Sequence, residues 1–359
     1  MPSIDQLQII NFRNLSEISL SPSRGVNLIY GSNGSGKTSL LEALYVLSSG
    51  KSFRSALVDP LIKAGELEAT VYVCTAENAK YGLCKRRHKK ALLRVNGENQ
   101  KNWDQVARAL PVLVIDSGAF ELLVGGPKIR RRFLDWGVFH VEPTFLDSWR
   151  RAAKCLSNRN RLLKSGASKS VELRAWDVEL SNAARAVDKA RAAYLAELLP
   201  LFERIYSELV CGYTQLSVQY KRGWPEESAL EEWLLANREL DTRYGSTQAG
   251  PHRADLEVKV GGRKATERLS RGQEKLLVCA LKLAQGELLS DAVGQRCLYL
   301  VDDLPAELDP SNRQRVMKHL LTLGSQLFVT SVDAEAIDLN GFQEAEIARF
   351  HVERGTIIA

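Results

Sequence analysis

Two hydrophobic periods follow one another in the first fifty residues of the chain. Residues 4–30 alternate apolar and polar positions as strands do, in "IDQLQIINFRNL" and then in the short apolar run "GVNLIY". Over residues 37–48 the apolar positions return at helical spacing, at Leu40, Leu44 and Leu47. The pattern predicts a strand, a glycine-rich loop and a helix, in that order.

The middle of the chain has mainly helical spacing. A long amphipathic helix is predicted up to a kink at Pro200, with a helical continuation after it. Residues 143–164 predict another helix. The apolar positions of the long helix recur every three or four residues, at Trp176, Leu180, Ala183, Val187, Ala190, Tyr194 and Leu198.

Segments with strand-like alternation flank this helical region on both sides. "ATVYVCT" and "ALLRVNG" precede it, and "ADLEVKV", "CLYLVDD" and "QLFVTSVD" follow it. We therefore expect an α/β core formed by residues 1–117 and 246–359, into which residues 118–245 insert as a mostly α-helical second lobe.

Composition is that of a globular protein, because 45% of the 359 residues are hydrophobic and 26% are charged. No uncharged apolar run has the length of a membrane helix, and "MPSIDQLQ" lacks the features of a signal peptide, so a cytoplasmic location is expected. The cysteines form no C-x-x-C pair, which argues against a zinc site or a disulfide framework. We expect them to be reduced and mostly buried: Cys74, Cys84, Cys155, Cys211, Cys279 and Cys297.

A net charge of +6 is concentrated in three runs, "CKRRHKK" at 84–90, "KIRRR" at 128–132 and "RNRLLK" at 159–164. Any single run is equally well explained as a solvated surface, but together they favour a polyanionic partner, either nucleic acid or an anionic membrane surface. In the second run, one arginine is expected in a buried ion pair while its neighbours face a ligand. The candidate phosphate contacts are Lys85, Arg86, Arg87, Lys89, Lys90, Arg130 and Arg131.

"GSNGSGKTS", residues 31–39, fits the phosphate-loop pattern G-x-x-x-x-G-K-[ST] between a predicted strand and a predicted helix. Its glycines let backbone N–H groups face a phosphate chain at a helix N-terminus. Lys37 would reach the β- and γ-phosphates and the Thr38 hydroxyl would bind Mg²⁺. The candidate nucleotide-binding residues are Gly31, Ser32, Asn33, Gly34, Ser35, Gly36, Lys37 and Thr38.

A second acidic element follows the strand "CLYLVDD". Carboxylates at the carboxyl end of such a strand lie where open α/β sheets bind ligands. Asp302 is the expected Mg²⁺ ligand together with Thr38, and Asp303 would orient or deprotonate the attacking water. The predicted catalytic residues are therefore Asp302, Asp303 and Lys37.

"LSRGQEK", residues 269–275, can be an ordinary helix start with Ser270 as N-cap. Along the chain, the phosphate loop is followed by this segment, then by the double-acid strand and then by "ELDP" at 307–310. The ABC-type ATPases carry similar motifs in the same order, so the chain resembles that superfamily. The resemblance implies that the serine, the glycine and the helix N-terminus bind the γ-phosphate of ATP held on a second subunit. The candidate residues for this contact are Ser270, Arg271, Gly272 and Gln273.

Within that superfamily the chain resembles the RecF family of bacterial recombination and repair proteins. "LQIINFRNL", "GSNGSGKTSLLEAL", "GGPKIRRRFLD", "GPHRAD", "LSRGQEK" and "YLVDDLPAELD" match in order from residue 6 to 309. The resemblance implies ATP and Mg²⁺ as cofactors and an ATP-dependent homodimer on DNA, at duplexes and at single-strand/duplex junctions or gaps. It also implies RecO and RecR as partners in loading RecA, with roles in repair, replication restart and SOS induction.

Several positions depart from the wider ABC pattern. Asp303 stands where transporters usually carry Glu, and "FVTSVD" has no histidine at the switch position, so we expect a weak, DNA-stimulated ATPase in which slow hydrolysis acts as a timer. No glutamine marks a Q-loop, which is expected around Asp116 and Ser117. His252 and Arg253 have two open interpretations, a structural turn or a role near nucleotide or DNA.

Two other classes of protein share the phosphate loop and signature. A transporter subunit would carry the switch histidine, which the sequence lacks. A chromosome protein of the SMC kind would carry long heptad arms between the two halves of the site, and the helical stretch lacks sustained heptads. The sequence therefore favours a DNA-binding ATPase switch.

Overall fold

The structure, a computed structural model, describes residues 3–54, 57, 59–166, 170–210, 216–339 and 346–358. The chain divides into two compact units. The first unit contains Met1–Phe120, Glu208–Cys211 and Lys275–Ala359, and the second contains Glu121–Ser207 and Gly212–Glu274.

The strands are numbered in chain order. They are β1 (Ile4–Ile10), β2 (Glu17–Leu20), β3 (Val26–Tyr30), β4 (Glu68–Thr75), β5 (Lys80–Arg86), β6 (Leu92–Val95), β7 (Glu98–Gln100), β8 (Val112–Ile115), β9 (Leu216–Lys221), β10 (Asp255–Val260), β11 (Arg263–Lys264), β12 (Leu298–Val301), β13 (Leu327–Ser331), β14 (Ile347–Glu353) and β15 (Thr356–Ile358).

The α-helices follow the same order. They are α1 (Lys37–Ser49), α2 (Asp104–Ala109), α3 (Glu121–Val124), α4 (Pro127–Val141), α5 (Phe145–Lys164), α6 (Val171–Leu209), α7 (Leu230–Ala236), α8 (Arg238–Tyr244), α9 (Arg271–Val293), α10 (Leu304–Glu307) and α11 (Pro310–Thr322). Short 3-10 turns include Ser117–Phe120 and Pro251–Arg253.

Two sheets build the first unit. One is antiparallel with strand order β2-β1-β4-β5-β6-β7, and the other has the order β15-β14-β3-β13-β12-β8. In the second sheet β14, β3, β13, β12 and β8 run parallel, and β15 is antiparallel to β14. Since a parallel sheet is covered on both faces, β12 and β13 are buried along their whole length, while β1 alternates buried and exposed positions.

One hydrophobic core joins α1 to both sheets. Leu40 and Leu44 of α1 share this core with Ile9 of the antiparallel sheet and with Ile29 and Phe328 of the parallel sheet. The helix is therefore buried on most of its surface, and its first residue is fixed at the carboxyl end of β3.

The second unit contains α3, α4, α5, α7 and α8, most of α6, and the three-stranded antiparallel sheet β11-β10-β9. Arg159 is fully buried there and bonds to Asp177 and Asp241 at 2.6 and 2.7 Å. A buried guanidinium requires such carboxylate partners, because an unpaired charge in the interior is strongly unfavourable.

The expected domain boundary at residue 246 is wrong. Residues 246–274 lie in the second unit, where "ADLEVKV" forms β10 and pairs with β9. Alternation predicts a strand correctly but does not say which sheet it joins, and β9 lies within the stretch predicted to be the helical lobe. The expected start of the lobe at residue 118 lies three positions before Glu121.

Both predicted helices are present, because α5 spans Phe145–Lys164 and α6 continues through Pro200 to Leu209. Cys74, Cys155, Cys279 and Cys297 are buried and reduced, Cys84 is half-buried, and Cys211 lies outside the described residues. Among the described helices, none has the length and apolar character needed to cross a bilayer.

Candidate nucleotide-binding site

The phosphate loop connects β3 to α1, as the sequence predicts. Gly36 adopts φ 123°, and a Cβ at this position would lie 2.5 Å from Leu15 Cδ2. Gly31 has φ 147°, and a Cβ there would meet the Val352 carbonyl oxygen at 2.2 Å. Both positions need glycine, for the backbone conformation and for the close approach of a neighbouring segment.

Asn14 fastens the loop to the turn between β1 and β2. Its Nδ2 donates to the Gly34 carbonyl at 2.9 Å, and its Oδ1 accepts from Ser39 Oγ at 2.7 Å. The neighbouring Arg13 makes a two-point bond to the buried Glu42 carboxylate on α1, at 2.9 and 2.6 Å. Sequence reasoning missed these contacts, although "NFRNL" places two polar side chains directly after a strand.

Lys37 lies across the inside of the loop. Its Nζ donates to the carbonyl oxygens of Gly31 and Ser32, at 2.6 and 3.0 Å. Burial lowers the pKa of this ammonium group, and the charges of Asp303 and Asp302 oppose that shift. The amino group is thus held at the point where the loop N–H groups would meet a phosphate.

Thr38 and Asp302 meet across the pocket. Thr38 Oγ1 donates to Asp302 Oδ1 at 3.0 Å, and Thr330 Oγ1 donates to the same oxygen at 2.7 Å. Burial raises the pKa of Asp302, while the two hydroxyl bonds lower it. A hydroxyl and a carboxylate are oxygen ligands of the kind that Mg²⁺ binds.

Asp303 immediately precedes α10 and has a left-handed conformation, with φ 49°. Its N–H donates to Thr330 Oγ1 at 2.8 Å, so one threonine contacts both residues of the double acid. Sequence reasoning missed Thr330, and the signal available was a polar residue inside the buried strand β13.

These residues line one pocket of about 650 Å³. Polar groups surround the phosphate loop, while Pro60, Ile62 and Ala64 add apolar surface beside Arg87. Apolar surface combined with a few fixed polar groups is typical of small-molecule sites. The lining residues are Arg13, Asn14, Asn33, Gly34, Gly36, Lys37, Thr38, Ser39, Arg54, Pro60, Ile62, Ala64, Arg87, Asp302, Asp303 and Thr330.

The "LSRGQEK" segment starts α9 with a reciprocal cap. Ser270 N–H donates to Gln273 Oε1 at 2.9 Å, and Gln273 N–H donates to Ser270 Oγ at 3.3 Å. Ser270, Arg271 and Gly272 are nevertheless exposed, and none of them is among the described residues that line the pocket. The predicted helix start is confirmed.

Lys275, at the end of that segment, contacts the "ELDP" turn. Its Nζ donates to the Glu307 carbonyl at 2.7 Å and lies 2.8 Å from Glu307 Oε2. Two residues later, Asp309 caps α11 by accepting from Asn312 N–H at 3.0 Å, and backbone bonds of this kind lower the pKa of the Asp309 carboxyl. The expected Q-loop position, Asp116, accepts from Ala119 N–H at 2.8 Å, and burial raises its pKa.

The first basic run separates into different environments. Lys85 is 7% exposed, donates from Nζ to the Gly50 carbonyl at 3.0 Å and lies over the Trp103 ring, so its assignment as a phosphate contact is wrong. Arg86 pairs with Glu68 at 3.0 Å, and Arg87 lines the pocket. The remaining lysines of the run, Lys89 and Lys90, are exposed in the turn between the antiparallel strands β5 and β6.

In the second basic run, Arg130 forms an ion pair as predicted, but the pair is half-buried and not buried. Arg130 bonds to the Asp255 carboxylate at 2.7 and 3.0 Å, and Arg131 donates to the Ala254 carbonyl at 2.6 Å. The Arg130 guanidinium is therefore occupied by the Asp255 carboxylate, whereas the half-buried Arg131 bonds to a carbonyl through Nη1. Lys128 and Arg132 are the exposed cations of this run.

His252 and Arg253 make contacts of the kind that hold a turn. His252 Nε2 lies 3.0 Å from the Thr247 carbonyl oxygen, and Arg253 donates to Gln248 Oε1 at 2.9 Å. Burial lowers the pKa of His252.

Known proteins resemble the chain over its full length. The family described as RecF/RecN/SMC N terminal domain matches residues 3–356. The DNA replication and repair protein RecF of Pseudomonas fluorescens Pf-5 is 43% identical over 359 residues, covering 99% of this chain and 98% of that protein. RecF of Pseudomonas paraeruginosa PA7 is 42% identical, with 99% and 97% covered.

Solved structures share the fold. The structure of "the recombination mediator protein RecF-ATP in RecFOR pathway" is 27% identical with a TM-score of 0.87, covering 99% of this chain and 97% of that chain. An Smc head domain from Pyrococcus furiosus, at 17% identity and a TM-score of 0.57 with 99% and 95% covered, shows the fold alone. The chain therefore belongs to the RecF family and has the α/β ABC-ATPase fold that this family shares with SMC heads.

Proposed function

We propose that this chain is an ATP-dependent DNA-binding protein of recombinational repair and replication restart. The observation that carries the proposal is the convergence of Lys37, Thr38 and Asp302, with Asp303 beside them, in one pocket. The names of the full-length relatives support the same assignment.

The pocket residues have different roles in ATP binding and hydrolysis. Lys37, held by two loop carbonyls, exchanges these acceptors for β- and γ-phosphate oxygens. Thr38 and Asp302 would hold Mg²⁺, which would neutralise phosphate charge. Asp303 orients the attacking water and takes its proton, and its backbone is held by the hydrogen bond from its N–H to Thr330.

Hydrolysis in this arrangement acts as a slow timer. The carboxylate at the base position is an aspartate, which reaches less far than a glutamate, and Thr330 lies in the strand segment that lacks a switch histidine. ATP binding therefore controls assembly of the protein. Hydrolysis is weak and is stimulated by DNA.

Ser270, Arg271, Gly272 and Gln273 provide the contact to a second copy of the chain. The cap uses the N–H groups of Ser270 and Gln273, so at the exposed start of α9 the N–H groups of Arg271 and Gly272 would face an anion such as a γ-phosphate. ATP then joins two subunits into a homodimer, whereas ADP, lacking that phosphate, does not.

DNA is the macromolecular partner, at duplexes and at junctions or gaps. The exposed Lys89 and Lys90 remain as phosphate contacts from the first basic run. RecO and RecR are the protein partners, and the complex loads RecA and takes part in SOS induction. The protein acts in the cytoplasm. The resemblance to the RecF family supports these assignments.

The test is DNA binding with and without ATP. We expect the wild type to shift gapped DNA in an ATP-dependent manner, and Lys37→Ala to give the same weak shift in both conditions. Lys51→Ala, which removes an exposed lysine outside the pocket, is the matched control and should behave as wild type. Equal DNA binding by the wild type with and without ATP would contradict the proposal.

A further inference from the structure

One face of α5 carries cations that the fold does not neutralise. Lys154, Arg161 and Lys164 are exposed, while Ala152, Cys155 and Leu163 are on the buried side of the helix. Because an α-helix turns about 100° per residue, the three exposed positions fall within about 80° of one another, opposite the buried side. They form a line on the surface of the second unit.

The line continues onto the end of α8. A Cβ at Gly245 would lie 3.2 Å from Lys164 Cγ, so the lysine stem runs along the residue that ends α8. The two residues before this glycine are the exposed Arg243 and Tyr244, and Tyr244 is 63% exposed. We call Lys154, Arg161, Lys164 and Arg243 the α5 basic face.

Other arginines of this unit are neutralised by carboxylates. Arg151 lies 2.7 Å from Glu179, and Arg159 is buried between Asp177 and Asp241. No member of the α5 basic face forms an ion pair within the described ranges of the chain. Acidic residues bound the face: Asp147 lies two turns before Lys154, and Glu239 one turn before Arg243.

Helix dipoles account for only part of this charge. The carboxyl ends of α5 and α8 both lie here, and each helix end is equivalent to about half a negative charge. Two ends therefore balance roughly one of the four cations, which leaves an excess of about three positive charges.

The spacing fits a nucleic acid backbone. Lys154 and Lys164 are ten residues apart, which is about 15 Å along a helix, and one DNA strand places a phosphate about every 3.4 Å along its axis. The face therefore spans roughly four phosphates. An exposed aromatic ring beside such a row can stack on an unpaired base.

We infer that the α5 basic face binds the phosphates of DNA at a single-strand/duplex junction and that Tyr244 stacks on an unpaired base there. This inference rests on the proposed function. It assigns DNA contacts to a surface other than the basic runs around Lys89 and Arg130.

The test compares two triple variants by fluorescence anisotropy over a salt series, with ATP present. Lys154→Gln/Arg161→Gln/Lys164→Gln removes the face, and Arg174→Gln/Arg185→Gln/Lys189→Gln removes equal charge from exposed positions of α6. Each lost phosphate contact should reduce the slope of log affinity against log salt by about 0.9, so the first variant should lose roughly 2.7 and the second less than about one. ATP affinity should be unchanged in both, because these residues lie outside the nucleotide pocket.

The aromatic part has its own comparison. Tyr244→Ala should lose about 5-fold or more in affinity for a tailed duplex and nothing for a blunt duplex, whereas Tyr244→Phe should retain both affinities. Equal salt slopes in the two triple variants would overturn the inference and leave the proposed function standing. A wild type that binds neither DNA at low salt would overturn both.

Discussion

Thr38 Oγ1 lies 3.0 Å from Asp302 Oδ1, although 264 positions separate the two residues in the chain. The contact joins the first turn of α1 to the end of β12, and both elements are fixed by the parallel sheet, where β12 pairs with β13 and β13 pairs with β3. The hydroxyl and the carboxylate that would share Mg²⁺ are therefore adjacent because of strand order.

Asp302→Ala should weaken ATP binding in Mg²⁺ and leave ATP binding in EDTA unchanged, because the carboxylate acts only through the metal. The difference should be about 10-fold or more, measured by calorimetry under both conditions. Thr330→Val is the comparison variant, since it removes the hydroxyl that bonds to Asp302 and Asp303 but keeps both carboxylates. A loss in EDTA as large as that in Mg²⁺ would show that Asp302 supports the fold of the pocket instead.

Arg87 should behave as a nucleotide residue and not as a DNA residue. Its Nε donates to the Glu66 carbonyl at 2.9 Å, and the residue lines the nucleotide pocket. Arg87→Gln should lower ATP affinity about 10-fold and leave the salt slope of DNA binding unchanged. Lys89→Gln/Lys90→Gln should do the reverse, with a slope reduced by about 1.8. The assignments would be exchanged if Arg87→Gln reduced the slope and kept ATP affinity.

Lys282 should make stability depend on pH in mildly alkaline solution. Burial lowers the pKa of Lys282 to about 8, although the negative charge of Asp116 acts to raise it. Between about pH 8 and 9 the unfolded chain keeps this proton while the folded chain releases it, so stability rises with pH. The free energy of unfolding of the wild type should gain roughly 1 kcal/mol relative to Lys282→Met over that interval. Urea unfolding of both proteins at the two pH values measures the gain, and a constant difference would contradict the lowered pKa.

Much of the site is readable from the sequence because its parts are local. "GSNGSGKTS" encodes the loop, and the buried run before Asp302 encodes the strand that carries the double acid. Contacts made between distant segments are not readable in this way. Asn14 reaches the loop from another strand turn, and nothing local distinguishes Lys85, which is buried, from Lys89, which is exposed.

The second unit shows the same limit. Alternation indicates β10 but cannot show that its partner is β9 and not a strand of the first unit. A basic run likewise does not show which members find carboxylates. Arg159 and Arg161 are two positions apart, yet one is buried between aspartates and the other faces solvent.

In the function proposed above, ATP joins two copies of this chain through the start of α9. Ser270→Arg places a bulky cation where the γ-phosphate of the opposite subunit would lie, while the Lys37 site of the same chain stays intact. The variant should bind ATP as a monomer, and dimerisation and hydrolysis should fail together. Ser270→Ala removes the same hydroxyl without adding bulk, so it separates the effect of the bulky cation from the loss of the hydroxyl.

The most direct measurement is sedimentation velocity of the wild type and Ser270→Arg with ATP and Mg²⁺, and with ADP. We expect a dimer only for the wild type with ATP, and monomers in every other case. A Ser270→Arg protein that dimerises with ATP as the wild type does would show that "LSRGQEK" is only a helix cap.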